Sequence, residues 1–255
     1  MSRVLITGAS RGIGRATAIE LARRGHEVIA TARDVDAVAD IPAAVRLRLD
    51  VTDQASVDAA IREMGRVDVL LSNAGDTLRA PVETVPLPEV ARIFELNTFG
   101  ALRVAQAVLP GMRDRGFGRI VFVSSVQGRL VIPLIGTYAA SKWALEAFAE
   151  ALAIETRKFG ITVQLIEPGA VASDGAARAA VHLDEASPYY PLLGQLAGSR
   201  GDLIGVDQVA RTIADAIDDD ETPLRIPVGA TATGQLAARK VAPEDEPFVA
   251  VPLEW

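Results

Sequence analysis

Short strand-like runs, several of them apolar at almost every position, alternating with stretches of helical periodicity, constrain this chain more than any other feature. Runs at Val4–Thr7, Glu27–Thr31, Val45–Leu49, Val67–Leu71, Arg119–Ser124 and Thr162–Ile166 alternate with helical patterns beginning near Ile13, Gln54, Glu89, Ala101 and Tyr138. A strand with one wet face alternates polar and apolar residues, whereas Val69-Leu70-Leu71 and Ile120-Val121-Phe122-Val123 do not. Such strands are covered on both faces, which points to a parallel sheet between two helical layers. Right-handed crossovers then give an α/β, doubly wound sheet in the order 3-2-1-4-5-6-7. A helical pattern from Val206 to about Ile217 and a run at Leu224–Val228 complete a set of about seven strands.

The 255 residues fit one α/β domain, read as residues 1–255, although length alone also allows two. Hydrophobic residues make up 49% and charged residues 23%, and no apolar run nears the length of about 18 residues that a membrane span needs. A soluble protein is expected. Met-Ser-Arg leads straight into the first strand, without the longer apolar stretch of a signal peptide, so a cytoplasmic location is expected. The formal charge of −7 opposes nucleic acid and anionic membrane surfaces as partners and leaves small molecules. With no cysteine, disulfides, thiolate catalysis and Cys-ligated zinc are excluded. No metal site is expected: the acidic run Asp218–Glu221 has no histidine beside it and reads as a solvated helix end, while His26 and His182 read as loop or surface residues.

Between Pro168 and Gly205 the periodicity weakens into a long connection holding the patch Tyr189-Tyr190-Pro191-Leu192-Leu193. At the carboxyl end of a strand, such a connection reads as a lid over a ligand crevice, about residues 170–205, or as cover for the core. The tail, about residues 241–255, is rich in Pro and Glu and ends Val-Pro-Leu-Glu-Trp. Docking on a neighbouring subunit and closing over a substrate mouth are both open to it.

Between the first strand and the first helix stands Thr7-Gly-Ala-Ser-Arg-Gly-Ile-Gly14. Gly8, Gly12 and Gly14 permit a tight turn and close approach of a pyrophosphate to backbone, with Ser10, Arg11 and Ile13 beside the helix N-terminus that receives the anion. This is the phosphate cradle of a Rossmann-type fold, with a glycine spacing that departs from G-x-G-x-x-G. The second strand ends Ala32-Arg33, where an NAD site commonly presents a carboxylate. A small residue and a guanidinium suit a 2′-phosphate instead, with Arg11 a second cation, so NADP(H) is favoured over NAD(H). Asp34 reads as a helix cap.

Tyr138 and Lys142 lie four apart, about one helical turn, with Ser125 thirteen residues upstream of the tyrosine. The pair places an ammonium near a phenol, and acid/base chemistry at neutral pH needs such a means of stabilising phenolate.

Over about residues 1–230 the chain resembles the short-chain dehydrogenase/reductase family. The resemblance rests on the glycine loop, Asp50-Val51, Ser72-Asn73-Ala74-Gly75, Asn97, Ser125, Tyr138, Lys142 and Pro168-Gly169. It implies that Asp50 and Val51 meet adenine, that Asn73, Ala74 and Gly75 stabilise the sheet and border the ribose, and that Tyr138, Lys142, Pro168, Gly169, Val171 and Ser173 also touch the cofactor. Ser72 stands where the family often has Asn, and Ser173 where it often has Thr. The implied catalytic set is Asn97, Ser125, Tyr138 and Lys142. Tyr138 would be the general acid/base, Ser125 would donate to the carbonyl oxygen, Lys142 would bond the nicotinamide ribose, and Asn97 would hold a water linking Lys142 to solvent. Substrate contacts are expected from Ser125, Gln127, Tyr138, Tyr189 and Leu192. The run Val28–Asp34 resembles the steroid- and retinol-reducing branch.

The expected function is therefore NADP(H)-dependent interconversion of a ketone or aldehyde with an alcohol. The apolar segments Val131–Ile135 and Tyr189–Leu193 lean toward an apolar substrate. The alternatives are a β-ketoacyl thioester reductase, a non-catalytic NADP(H) sensor, and a lyase or dehalogenase on the same scaffold. The resemblance also implies a homodimer or homotetramer, built on the helices after Asn97 and Tyr138.

Overall fold

The computed structural model describes residues 1–173, 179–198, 203–221 and 223–250. Seven strands, all paired in parallel, form its main sheet: β1 (Arg3–Ile6), β2 (Glu27–Ala32), β3 (Val45–Arg48), β4 (Val69–Ser72), β5 (Gly118–Val123), β6 (Ile161–Pro168) and β7 (Arg225–Val228). Their spatial order is β3-β2-β1-β4-β5-β6-β7, as the sequence implied. Central strands such as β4 and β5 lack alternation because both faces are covered, whereas the edge strand β3 alternates. Leu5, Leu70, Phe122 and Leu165 enter one core, while their chain neighbours Ile6, Leu71, Val121 and Ile166 enter another.

Helices α2 (Gln54–Met64), α4 (Gly100–Arg115) and α5 (Gly136–Thr156) cover the first face, and α1 (Gly12–Arg23) covers the second. Between α2 and α4 runs α3 (Leu87–Phe94). After α5 come α6 (Tyr190–Gly198), α7 (Val206–Asp218), which joins α1 on the second face, and α8 (Ala230–Val241). Each fully buried Leu, Ile or Phe contributes about 1.5–3 kcal/mol, which makes the sheet a firm base for loops at its edge. Local signals set the helix ends. Asp53 caps α2 by accepting from the backbone N–H of Ala55 at 2.9 Å, and Gly116 closes α4 with a left-handed φ of 65°. No helix among the described residues is long and apolar enough to cross a membrane.

Three features go beyond the sequence reading. First, α3 runs into α4 through a π-helical turn, Glu95–Phe99, which carries Asn97. Second, the connection after β6 contains α6 and two short parallel pairings, Val171–Ala172 with Ile204–Gly205 and Leu78–Arg79 with Ala180–Val181. Residues 174–178 and 199–202 of the expected lid lie outside the described residues. Third, α8 follows β7, and Phe248 and Ala250 beyond it pack toward Val126, Leu130 and Ala232. The described part of the tail therefore rests on its own chain, while the closing Val-Pro-Leu-Glu-Trp, 251–255, lies outside the described residues.

The acidic helix end is also engaged. Asp218 accepts from Arg24 at 2.9 Å and lies 2.8 Å from His26. Among the described residues no group of three or more His, Asp or Glu could hold a metal ion.

Candidate active site

The order in which strands are added across the sheet reverses between β1 and β4, and residues following the carboxyl ends of β1 to β6 line one cavity of about 750 Å³. One end of it is made of backbone. Gly8 and Gly12 hold φ values of 68° and 55°, which a side chain rarely adopts. Asn73 Nδ2 donates to the carbonyls of Thr7 at 2.9 Å and Gly8 at 3.1 Å, and the Thr7 hydroxyl accepts from the backbone N–H groups of Asn73 and Ala74. The loop after β4 thus locks the glycine loop. Gly14 lies behind the wall: a Cβ there would collide with Asn73 Nδ2 and the Gly8 carbonyl. Its task is to let the loop fold.

Gly8, Ser10, Arg11, Gly12, Ile13, Arg33, Asp50, Val51, Asn73, Ala74 and Gly75 all line this end. Beside Arg33, Ala32 is small. Arg33 and Arg11 are exposed, and among the described residues neither forms an ion pair, so both guanidinium groups are open to an anion. Burial pushes the Asp50 carboxyl up, but bonds from the Thr52 N–H and hydroxyl, with Arg33 and Arg48 nearby, hold it below the ordinary aspartate range. The glycine-shaped cradle, the small Ala32 and the two open cations fit a phosphorylated dinucleotide.

The other end is made of side chains. Ser125 follows β5, and its Oγ accepts from the Gln127 N–H at 3.2 Å. Tyr138 stands in the first turn of α5, on the cavity wall, and Lys142 lies one turn further along. Lys142 Nζ is 5.8 Å from the Tyr138 ring centroid and donates to the Val123 carbonyl at 2.8 Å. Burial pushes the Tyr138 phenol up, while a hydrogen bond with Ser125 opposes the rise. Burial pushes Lys142 down to about 8, with Glu146 opposing. Spacing gives the ammonium near the phenol; in the free chain, desolvation of the phenol outweighs the influence that lowers it. The group facing the cavity is a protonated acid.

Asn97 is 1% exposed and does not line the cavity. Its Oδ1 accepts from the Asp76 N–H at 2.9 Å, and its Nδ2 donates to the Asp76 carbonyl at 2.9 Å and to Ser141 Oγ at 3.1 Å. A Cβ at Gly75 would lie 3.2 Å from Asn97 Oδ1 and 3.8 Å from Lys142 Nζ, so Gly75 leaves the space between them open. The π turn, which adds a residue to one helical turn, is what carries this amide toward α5.

Gln127, Pro168, Gly169, Val171 and Ser173 also line the cavity. Tyr189 and Leu192 do not. The Tyr189 hydroxyl donates to Glu83, and Leu192 is buried at 5% exposure; the segment is helical there and turns Leu193 and Leu196 to the cavity instead. The sequence reading missed Thr231 and Gln235 on the wall, while Leu134 belongs to the apolar segment Val131–Ile135 that it set beside the substrate. Leu134 is the one non-glycine residue with positive φ among the described residues, at 65°, and its carbonyl accepts from the Ala80 N–H at 2.7 Å. Nothing in its sequence neighbourhood signals that conformation. For Leu193 with Leu196, and for Thr231 with Gln235, spacings of three and four are the helical signal that could have found them.

Comparison with known proteins agrees with this geometry. The model of the family described as short chain dehydrogenase matches residues 2–183. Human retinol dehydrogenase 8 is 41% identical over 184 residues, 67% of this chain and 59% of that protein, so the chain spans less than two thirds of this relative. A short-chain dehydrogenase from Streptomyces avermitilis has 36% identity and a TM-score of 0.84, covering 94% of this chain and 92% of that one. A gluconate 5-dehydrogenase from Burkholderia cenocepacia, solved with NADP and tartrate, has 28% identity and a TM-score of 0.77, covering 91% of this chain and 95% of that one. With its glycine loop and its Ser, Tyr and Lys gathered on one cavity, the chain belongs to the short chain dehydrogenase family of oxidoreductases.

Proposed function

We propose that this enzyme interconverts an apolar ketone or aldehyde with its alcohol, using NADP(H) in preference to NAD(H). The observation that carries the reading is one cavity that holds two guanidinium groups without an ion pair among the described residues at one end and Ser125 with a protonated Tyr138 at the other. Arg33 and Arg11 would hold the 2′-phosphate, and Asp50 and Val51 would border adenine. Bound NADPH would supply the hydride that adds to the carbonyl carbon.

The chain's own residues account for the remainder. Ser125 and Tyr138 donate to the carbonyl oxygen and hold the carbonyl plane against the cavity wall. As the carbon gains its hydride, the oxygen gains charge and takes the Tyr138 proton, giving the alcohol and a phenolate. Lys142, as an ammonium, stabilises that phenolate until it is reprotonated from solvent, with Asn97 and the space at Gly75 on the route. Leu134, Leu193 and Leu196 exclude water from the substrate end. The retinol-named relative is consistent with an apolar substrate. Arg79 and Arg92 also border the cavity and favour a second reading, a β-ketoacyl thioester with a phosphorylated carrier; Arg92 is already paired with Asp76 at 3.0 Å and Glu89 at 2.8 Å, which weighs against it.

The chain reads as one domain of a cytoplasmic homodimer or homotetramer. Exposed Phe99, Trp143, Phe148 and Ile154 on and beside α4 and α5 support the assembly.

The test is NADPH consumption with steroids, retinal, aromatic ketones, quinones and β-ketoacyl thioesters. Tyr138→Phe is expected to bind NADPH normally and to lose about 100- to 10,000-fold in turnover. Turnover by that variant at the wild-type rate refutes the acid/base role. Tight NADPH binding with no turnover on any carbonyl returns weight to the sensor reading.

A further inference from the structure

One turn beyond Lys142 on α5, Glu146 is 3% exposed. Burying a carboxylate is costly unless a counter-charge meets it. Arg225 of β7 supplies one, its Nε donating to Oε2 at 2.9 Å. The second oxygen, Oε1, has no hydrogen-bond partner among the described residues, and neither has Ser124 Oγ. A Cβ on Gly128 would fall 2.8 Å from Glu146 Cγ, 2.9 Å from Ser124 Oγ and 3.2 Å from Glu146 Oε1. These groups therefore share one seat beneath the turn that follows Ser125. Arg225 accounts for one oxygen of Glu146; the other lies beside Gly128 without a hydrogen-bond partner among the described residues.

Lys142 is the ammonium one helical turn away. Side chains at i and i+4 share a helix face. Lys142 is 5% exposed, and its hydrogen bond goes to a neutral carbonyl, that of Val123. Glu146 is the anion that opposes the effect of burial on it. Tyr138 and Asn97 are the other polar side chains facing Lys142. Around Glu146, the remaining charged groups are Arg225, Glu167 of β6 with Oε1 3.9 Å from Arg225 Nε, Arg129 at 3.7 Å from Glu167, and the exposed Glu150 at 2.6 Å from Arg225. Burial and the charge of Glu146 push Glu167 up to about 7, so Glu167 gives up its charge near neutrality.

We propose that Glu146 is a positioning residue: its buried charge, one helical turn from Lys142, keeps Lys142 an ammonium behind Tyr138. The proposal rests on the reading above, in which the reaction needs Lys142 as a cation, so its test follows Lys142 both with and without turnover. The chain has three lysines, Lys142, Lys158 and Lys240. Carbon-13 labelling of lysine therefore gives three side-chain signals whose titration can be followed by NMR, with Lys142→Arg identifying one of them. Glu146→Gln, which keeps the side-chain shape, is expected to lower the Lys142 midpoint by about one pH unit. It is expected to move the alkaline limb of kcat/KM for carbonyl reduction by the same amount. Glu146→Asp is expected to fall between Gln and wild type, and it carries the test if the Gln variant does not fold. A Lys142 midpoint that stays put in a folded variant overturns the proposal. So does an alkaline limb that stays put while activity falls evenly at every pH, since that is the mark of a merely structural role. If the wild type reduces none of the carbonyls, a shifted Lys142 midpoint still supports the electrostatic role, and the failure falls on the reading of function.

Discussion

The two ends of the cavity are built in different ways. At the glycine-loop end, backbone makes the surface: Gly8 and Gly12 take conformations that L residues avoid, and Asn73 ties the loop by its main-chain carbonyls. At the substrate end, side chains from three separate stretches meet: Leu134 before α5, Leu193 and Leu196 on α6, and Thr231 and Gln235 on α8. A surface made of backbone tolerates few changes, because each atom is held by the fold. A surface made of side chains can be altered one residue at a time. Substitutions at the two ends should therefore differ in kind, with all-or-none loss at the first and graded loss at the second.

Gly14→Ala should have the largest effect. The new methyl would meet the Gly8 carbonyl, a backbone atom with no rotamer to turn away, so the loop must move. Overpacking of this sort costs about 1–3 kcal/mol. A shift of about 1 Å in a positioning element costs about 100-fold. The expected outcome is a lower Tm together with NADPH affinity reduced by about two orders of magnitude, read by thermal unfolding and fluorescence titration. Wild-type affinity would break the contrast between the ends.

Arg33→Ala sharpens it from within the first end, since Arg33 is exposed and no ion pair of the described residues depends on it. Losing a charge-assisted hydrogen bond costs about 1.5–3 kcal/mol, or roughly 10- to 150-fold in affinity. NADPH should weaken by that factor, with NADH and Tm unchanged. Equal weakening of both cofactors would remove the 2′-phosphate from Arg33.

How much of each end was legible in the sequence follows from the same contrast. The seven strands were found to within one or two residues, the central ones because burial on both faces leaves apolar runs such as Ile120–Val123 in β5. The glycine loop was legible because its contacts are local, a strand ending at Ile6 and a helix beginning at Gly12. Legibility failed where geometry depends on distant partners. α6 was read as a loop because Pro191 and Gly194 interrupt the helical signal, and α8 went unseen because Ala232 is its one buried residue. Tyr189 and Leu192 were accordingly placed on the substrate, when the helix presents Leu193 and Leu196. The π turn at Asn97 keeps a helical composition, so the sequence yields the helix without the extra residue that aims the amide. The net shift of the phenol was not legible for a related reason: spacing gives the Tyr138–Lys142 proximity, whereas desolvation depends on everything packed around the pair.

At the seam between the ends, pH offers a measurement without mutation. Burial lowers Lys142 from the ordinary lysine value to about 8, so its ammonium is complete below that pH and is lost as pH rises through it. Tyr138, pushed up, keeps its proton over the same interval. For carbonyl reduction, kcat/KM reports groups of the free enzyme and should be level to about pH 7, then fall about tenfold per unit above about 8. A profile level to pH 10 would mean that the cation is not needed.

Leu196→Ala should have the smallest effect, and it is the sharpest test of the side-chain end. Leu196 is half-buried on α6, with one side toward the cavity and no backbone conformation depending on it. Truncating it removes part of an apolar wall that a substrate would touch, and a pocket contact of a few methylene groups is worth about 1–3 kcal/mol at most. Because the residue keeps partial contact with solvent, the loss should sit near the lower bound, about threefold to tenfold in kcat/KM for a large apolar ketone. A small aldehyde does not reach α6 and should react at the wild-type rate. NADPH affinity should not change, because the glycine loop is formed by other segments. If Leu196→Ala instead weakened NADPH as strongly as Gly14→Ala, α6 would have to be part of the backbone-built end, and the division of the cavity into two kinds of surface would fail.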